Sequence, residues 1–151
     1  MKNIVVDTNI VFSAILNTDS VIANLLLKYD NLFFFRTTEN LKYEIEKHKS
    51  KLQAISGLNG TKIETSKKII FNRLVFVKND EVDLKYRRKG YDLSKNIDEN
   101  DFLFISLNEC FKDSLLWTGD KKLIQGLRNK GYKKVVKTNE LLDYVNKVEN
   151  N

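Results

Sequence analysis

The sequence has no proline, a single cysteine, a single histidine and only six glycines among its 151 residues. Without proline or a Gly/Ser-rich stretch nothing in it reads as a linker, so the chain is expected to fold as one domain over 1–151. Cys110 alone can close no intramolecular disulfide and build no cysteine-based zinc site, which points to a reducing compartment, the cytoplasm. Its place inside an apolar helical segment reads as an inert core thiol rather than a nucleophile. No glycine-rich phosphate loop occurs. Long hydrophobic runs are absent too. None approaches the roughly 18 apolar residues of a membrane span, and Asp7 interrupts the N-terminal run before a signal-peptide core could form. No membrane association is expected.

A hydrophobic fraction of 42% and a charged fraction of 30% lie in the ordinary globular range, and the length suffices to bury a core without disulfides or structural metal. The formal net charge of +6 argues for an anionic partner, most simply nucleic acid.

Ile4-Val5-Val6 is a β-branched run that reads as a buried strand ending at Asp7-Thr8-Asn9, with a helix following over 10–16. Asp19-Ser20 caps an apolar helix over 21–29, and the aromatic run 31–36 reads as a second strand. Thr37-Thr38 is expected to open a long helix through about residue 55, closed by Ser56-Gly57 and an Asn59-Gly60 turn. Thr61 and Glu64 form a capping-box pair for a helix to about residue 73. Residues 74–77 read as a short edge strand or an extended connection, after which Asn79-Asp80 caps a polar helix running into the basic, aromatic stretch 85–91. The helix over 102–107 is apolar on nearly all sides and belongs in the centre of the domain. A strand over 115–117, a helix over 121–130, a strand over 134–136 and a helix over 138–148 complete the chain. Strands alternating with helices argue for an α/β fold with a mainly parallel sheet covered on both faces.

In such sheets the ligand crevice lies beyond the carboxyl ends of the strands. Asp7 and Asp120 each end an apolar strand there, so they converge, with Gly119 supplying the tight turn and Thr118 a hydroxyl beside it. Each also fits as a helix N-cap. Asp98 and Asp101 open the central helix, whose dipole favours their charged forms. Asp98 reads first as the cap, whereas Asp101, directly before the apolar run, is free for chemistry. On the long helix Leu41, Ile45, His48, Leu52 and Ile55 define a buried seam. At about 100° per residue Glu44 flanks that seam about 60° from its centre, while Glu39 and Glu46 point to solvent. His48 then reads as a packing or supporting residue. Asp7, Glu44, Asp101 and Asp120 gathered without cations would resist joint ionisation. A hard divalent cation relieves that conflict, and oxygen-only ligands suit Mg²⁺ or Mn²⁺, which can activate water for in-line attack on a phosphodiester.

Taken in order, Ile4-Val5-Val6-Asp7-Thr8-Asn9, Glu44-Ile45, Asp98-Glu99-Asn100-Asp101 and Trp117-Thr118-Gly119-Asp120-Lys121-Lys122-Leu123 resemble the PIN-domain family, whose best-known bacterial members are VapC-type toxins. The resemblance runs from Asp7 to about Val145, although residues 57–96 align with none of these motifs. It implies a three-layer α/β/α sandwich with a four- to five-stranded mainly parallel sheet and a Mg²⁺- or Mn²⁺-dependent nuclease site acting on RNA. It also implies that Asp7, Asp101 and Asp120 hold metal, that Glu44 contacts it through water, and that Asn9, Asp98 and Thr118 are auxiliary, Asn9 orienting Asp7.

The expected function is therefore an endoribonuclease that hydrolyses RNA with a metal-activated water, acting as the toxin of a type II toxin–antitoxin system. Its expected partners are RNA, a cognate antitoxin and a second copy of the chain in a homodimer. A housekeeping RNA-processing nuclease of the same fold and a catalytically inactive RNA-binding or scaffold module are the alternatives. An aspartyl phosphatase fits less well, since it would want an aspartate where Asn9 stands. Lys121 and Lys122 follow Asp120 and are placed to neutralise substrate phosphates at the rim. Lys85, Arg87, Arg88 and Lys89, interleaved with Tyr86 and Tyr91, read either as a further RNA contact or as a solvated helix face.

Overall fold

Ile4, Val5 and Val6 are wholly buried because their strand, β1 (Lys2–Val6), is paired on both edges. A strand covered on both faces cannot use the alternating pattern of a half-exposed one, hence the unbroken apolar run. The computed structural model describes residues 1–151 and sets β1 in the middle of a five-stranded, all-parallel sheet. Its order is β3 (Val75–Val77), β2 (Phe33–Thr38), β1, β4 (Leu115–Trp117), β5 (Val135–Val136).

Nine helices supply the crossovers and cover the sheet. α1 (Thr8–Leu16) and α2 (Val21–Lys28) join β1 to β2, while α3 (Asn40–Lys47), α4 (Lys49–Ser56) and α5 (Gly60–Phe71) join β2 to β3. α6 (Leu84–Ser94) and α7 (Phe102–Glu109) carry the chain from β3 back across the sheet to β4, α8 (Lys121–Asn129) leads to β5, and α9 (Thr138–Glu149) ends the fold. α7 lies against β1, β2 and β4 with α6 packed on it, and α1 packs against α2, α3, α4 and α5. The result is the expected three-layer α/β/α sandwich. A single apolar cluster of 32 buried residues runs through it from Ile4 to Val145. No single helix is long and apolar enough to cross a membrane.

The order of the strands decides where a ligand can sit. Successive strands leave β1 in one direction through β2 and β3, then resume on its other side at β4. The crevice of a doubly wound sheet opens at such a reversal, beyond the carboxyl ends of β1 and β4.

Several local expectations are corrected. Thr37 and Thr38 open no helix: they are the end of β2, paired with Phe76 and Val77, and the Thr37 hydroxyl donates to the Val6 carbonyl at 2.8 Å. The long helix is two helices broken at His48, where the backbone leaves helical geometry (φ −103°, ψ 15°). Leu41, Ile45 and Leu52 keep their buried positions, but beyond the break the seam loses its direction and Ile55 is left 61% exposed. His48 is exposed as well and meets the edge of Phe12. α5 begins one residue before Thr61 because Asn59, not Thr61, caps it by accepting from the Lys62 N–H. Asn79-Asp80 belongs to a separate 3₁₀ turn ahead of α6. Cys110 caps the C-terminus of α7, half-buried, with burial pushing its thiol up and so keeping it unreactive.

Candidate metal centre

The register Val6↔Trp117 sets the ends of β1 and β4 side by side, so the next residues, Asp7 and Thr118, meet. Asp7 is 3% exposed. Its Oδ1 accepts from the Thr8 N–H at 2.7 Å, capping α1, and its Oδ2 accepts from the Thr118 hydroxyl at 2.6 Å and from Asn9 Nδ2 at 3.2 Å. Burial pushes its carboxyl up to about 6, opposed by the Thr118 and Thr8 hydrogen bonds and helped by the charges of Asp120 and Glu44.

Three further carboxylates converge in front of it. Asp98, Asp101 and Asp120 each offer an oxygen, and these oxygens lie within 4.8 Å of one another. The grouping has a local cause. Asp98 accepts from the Asn100 N–H at 3.0 Å and so winds residues Glu99–Asp101 into a 3₁₀ turn that brings Asp101 round beside it. Asp120 caps α8 with one oxygen, accepting from the Leu123 N–H at 3.1 Å, which leaves the other free. Capping and site membership, alternatives from sequence, coexist on the same side chain in Asp7, Asp98 and Asp120. Asp101 receives no hydrogen bond, and burial followed by the charges of Asp7, Asp98, Asp120 and Glu44 pushes its carboxyl up to about 8. An all-oxygen donor set whose members impede one another's ionisation fits a hard divalent cation, which supplies the missing positive charge.

The trio lines an open cleft of about 450 Å³ with Asp7, Asn9 and Glu44. Glu44 reaches it from α3, steadied by Asn40 Nδ2 at 3.1 Å. Asn9 also donates to the Thr118 hydroxyl at 3.3 Å, and Thr118 is fully buried beneath the site. Asp7, Glu44, Asp98, Asp101, Asp120 and Asn9 are thus brought to one cleft, with Thr118 joined to it through Asp7. Asp7 lies outside the trio of mutually close carboxylates, and Asp98 lies inside it.

The basic residues divide. Lys121 lines a neighbouring cleft, and Lys122 is exposed on the same turn of α8. On α6, Lys89 pairs with Glu109 at 2.7 Å, Arg87 donates to the Asn79 carbonyl and Lys85 lies over the Tyr86 ring at 4.9 Å, none of them lining the acidic cleft. Arg88 does not line it either. The sequence reading missed Lys51, the one cation in its lining, while His48, read as a packing or supporting residue, lines it as well. Their signal was present, since Glu44, His48 and Lys51 recur at helical spacing. Phe12, Ser13 and Leu16 line it from α1 in the same way, continuing the face that carries Asn9. Thr8 contributes a buried hydroxyl without a hydrogen-bond partner.

Among curated proteins none matches the chain. The PIN domain family matches residues 5–142, a span that takes in both strand-end aspartates, Asp98 and Asp101 at the 3₁₀ turn, the end of β1 and the other four strands of the sheet. PIN domains are generally nucleases that act on RNA with divalent metals, and an acidic cleft at the reversal point of a parallel sheet accords with that chemistry. The chain belongs to the PIN domain family.

Proposed function

We propose that residues 1–151 form a single PIN-type nuclease domain that cuts RNA internally with Mg²⁺ or Mn²⁺, and that it serves as the toxin of a type II toxin–antitoxin pair, held in check by a cognate antitoxin and acting as a homodimer. The observation that carries the nuclease reading is the convergence of Asp98, Asp101 and Asp120 in the cleft that Asp7 and Glu44 also line. Asp101 and Asp120, with Asp7 or Asp98, would hold the ion, and Glu44 would reach it through solvent. When bound, the ion activates water and offsets charge developing on the phosphodiester.

The protein's own groups do the rest. Thr118 and Asn9 fix Asp7 through both of its Oδ2 hydrogen bonds, so its carboxylate cannot turn away from the cleft. Asp120 is oriented by the α8 N-terminus and Asp98 by the Asn100 N–H. Lys51 offers a cation to a substrate phosphate at the rim, with Lys121 and Lys122 on the other side of the site. Lys85, Arg87, Arg88 and Lys89 add long-range attraction for the polyanion.

The test is cleavage of a single-stranded RNA by the purified chain with Mg²⁺ or Mn²⁺ and with EDTA. Metal-dependent cleavage lost in Asp7→Asn supports the reading, and full activity of Asp7→Asn overturns it. RNA binding without cleavage under every metal condition would favour the inactive binding module. Growth arrest on expression, relieved by a small protein encoded beside it, separates the toxin from a housekeeping nuclease.

A further inference from the structure

Behind the turn that carries Asp120 lies a second cleft, of about 560 Å³, for which the metal chemistry has no use. The two clefts share a thin ridge. Asn9 faces the acidic one and Gly119 the second, and the Gly119 N–H donates to Asn9 Oδ1 at 3.0 Å between them.

Their chemistry is opposite. The acidic cleft sets four aspartates and Glu44 against Lys51 alone, so away from Lys51 and a bound ion it repels phosphate. No carboxylate lines the second cleft, while Lys121 and Lys137 do, and neither is paired with an acid. Val21, half-exposed, and Leu142 present apolar surface there, with Ile124 buried beneath. The polar groups around it have hydrogen-bonding capacity to spare. Gln125 spends its amide N–H on Asn129 and keeps its carbonyl free, and Asn139 spends its carbonyl on the Glu140 N–H and keeps its amide free. Cations, an apolar platform and amide groups of both senses are what a nucleotide engages through its phosphate, base face and base edge. The volume lies within the range of small-ligand sites.

We propose that the second cleft binds the nucleotide adjacent to the scissile phosphate of a single-stranded RNA, its phosphate between Lys121 and Lys137 and its base against Val21 and Leu142. The strand would cross the Asn9–Gly119 ridge from one cleft into the other. The cleft thereby favours unpaired RNA, because a base held in a duplex must first be unstacked and unpaired to enter. This inference rests on the reading of the acidic cleft as the place where RNA is cut.

The protein carries its own reporter. Trp117, the sole tryptophan, donates from Nε1 to the Thr138 hydroxyl at 3.0 Å, and Thr138 lines the second cleft. The metal-free protein in EDTA is titrated with a short single-stranded oligoribonucleotide and, separately, with inorganic phosphate, following Trp117 emission. The expected result is a saturable change with the oligonucleotide that weakens at least about tenfold in Lys137→Glu, weakens in Gln125→Ala, and persists in Asp101→Asn. Both substituted positions on this cleft are exposed, so folding is preserved and is checked by circular dichroism. No saturable change, equal affinity in Lys137→Glu, or the same change at the same affinity with inorganic phosphate overturns the proposal. Cleavage with Mn²⁺, measured on the same preparations, separates the two readings. Cleavage without a Lys137-dependent signal sinks the nucleotide cleft alone, and a Lys137-dependent signal without cleavage sinks the nuclease reading while the cleft stands as a nucleotide site.

Discussion

The Thr118 hydroxyl donates to Asp7 Oδ2 at 2.6 Å and accepts from the Asp120 N–H at 3.1 Å, so one fully buried side chain ties together the carboxylates that end β1 and β4. Thr118→Val keeps the shape and removes both bonds together with the one the hydroxyl accepts from Asn9 Nδ2. It leaves a buried carboxylate short of a donor and a backbone N–H unpaired, at a cost of about 1–3 kcal/mol. Metal affinity should fall about 10- to 100-fold, as when the partner of a ligand is removed. Thr118→Ser, which keeps the hydroxyl, should restore most of both. Thermal unfolding and a Mn²⁺ titration of the two variants check this.

Asp101→Asn should move stability and metal response in opposite directions. In the metal-free protein the change removes a charge that burial and four neighbouring carboxylates oppose. Melting temperature at pH 8 should therefore rise, by about 2–4 °C for each kcal/mol relieved. At pH 5, where Asp101 is neutral in the folded chain but ionised in the unfolded one, the gain should be smaller, and below about pH 4 it should vanish. The increment that Mn²⁺ gives to the melting temperature should disappear at both pH values, along with cleavage. A residue with a purely structural role would lose stability instead.

The pH dependence of the metal-free protein follows from the same groups. Asp7 and Asp101 move from an ordinary 3.8 up to about 6 and about 8 in the folded chain. Between those limits the folded state holds more protons than the unfolded one, so stability falls as pH rises. The contribution is fully present below about pH 4 and is lost progressively up to about pH 8. A divalent ion binds the ionised carboxylates and releases protons, so its stabilisation should be larger at pH 8 than at pH 6. Melting curves with Mn²⁺ and with EDTA across this range check the slope. Stability of the metal-free protein that increases from pH 5 to pH 8 would contradict the assignment.

Asp7 and Asp120 were legible in the sequence because each ends an apolar run and a parallel sheet gathers such ends on one edge. Asp101 was legible because it abuts a helix that is apolar on nearly all sides. Glu44 followed from helical periodicity even though the helix proved to be two, since the break at His48 comes after it. The break itself was hidden, because the apolar spacing from Leu41 to Leu52 continues through it without proline or glycine. Membership of Asp98 in the close trio depends on a 3₁₀ turn, whose tighter winding a reading at 3.6 residues per turn misses. The second cleft was invisible for another reason. Val21, the 118–125 turn and helix, and the start of α9 meet there only in the folded chain, and the motif over 117–123 says nothing of Val21 or α9.

The α6–α7 packing makes a prediction away from the site. A Cβ added at Gly90 would come within 2.1 Å of Ser106 Oγ and 2.6 Å of the Phe102 carbonyl, so the two helices approach as closely as they do only because residue 90 has no side chain. Gly90→Ala should destabilise the protein by at least about 1–3 kcal/mol, as overpacking does. At Gly119 the nearest atom, Asn9 Oδ1, would lie 3.6 Å away, in ordinary contact. Gly119→Ala should therefore fold with near-normal stability. Denaturant titration of the pair checks the contrast.

Lys51 tests how substrate reaches the acidic cleft. It is exposed, unpaired with any carboxylate and the only cation in a lining otherwise crowded with acids. Lys89, by contrast, is already engaged with Glu109 at 2.7 Å. If Lys51 neutralises one phosphate of a single-stranded RNA, Lys51→Gln should reduce the slope of log affinity against log salt by about 0.7. It should raise KM more than it lowers kcat, because the contact exists before and during the reaction alike. Lys89→Gln should change the slope less, since its charge is partly neutralised by Glu109. Binding measured by fluorescence anisotropy at several salt concentrations decides, and an unchanged slope in Lys51→Gln would mean that RNA enters the cleft without touching its α4 wall.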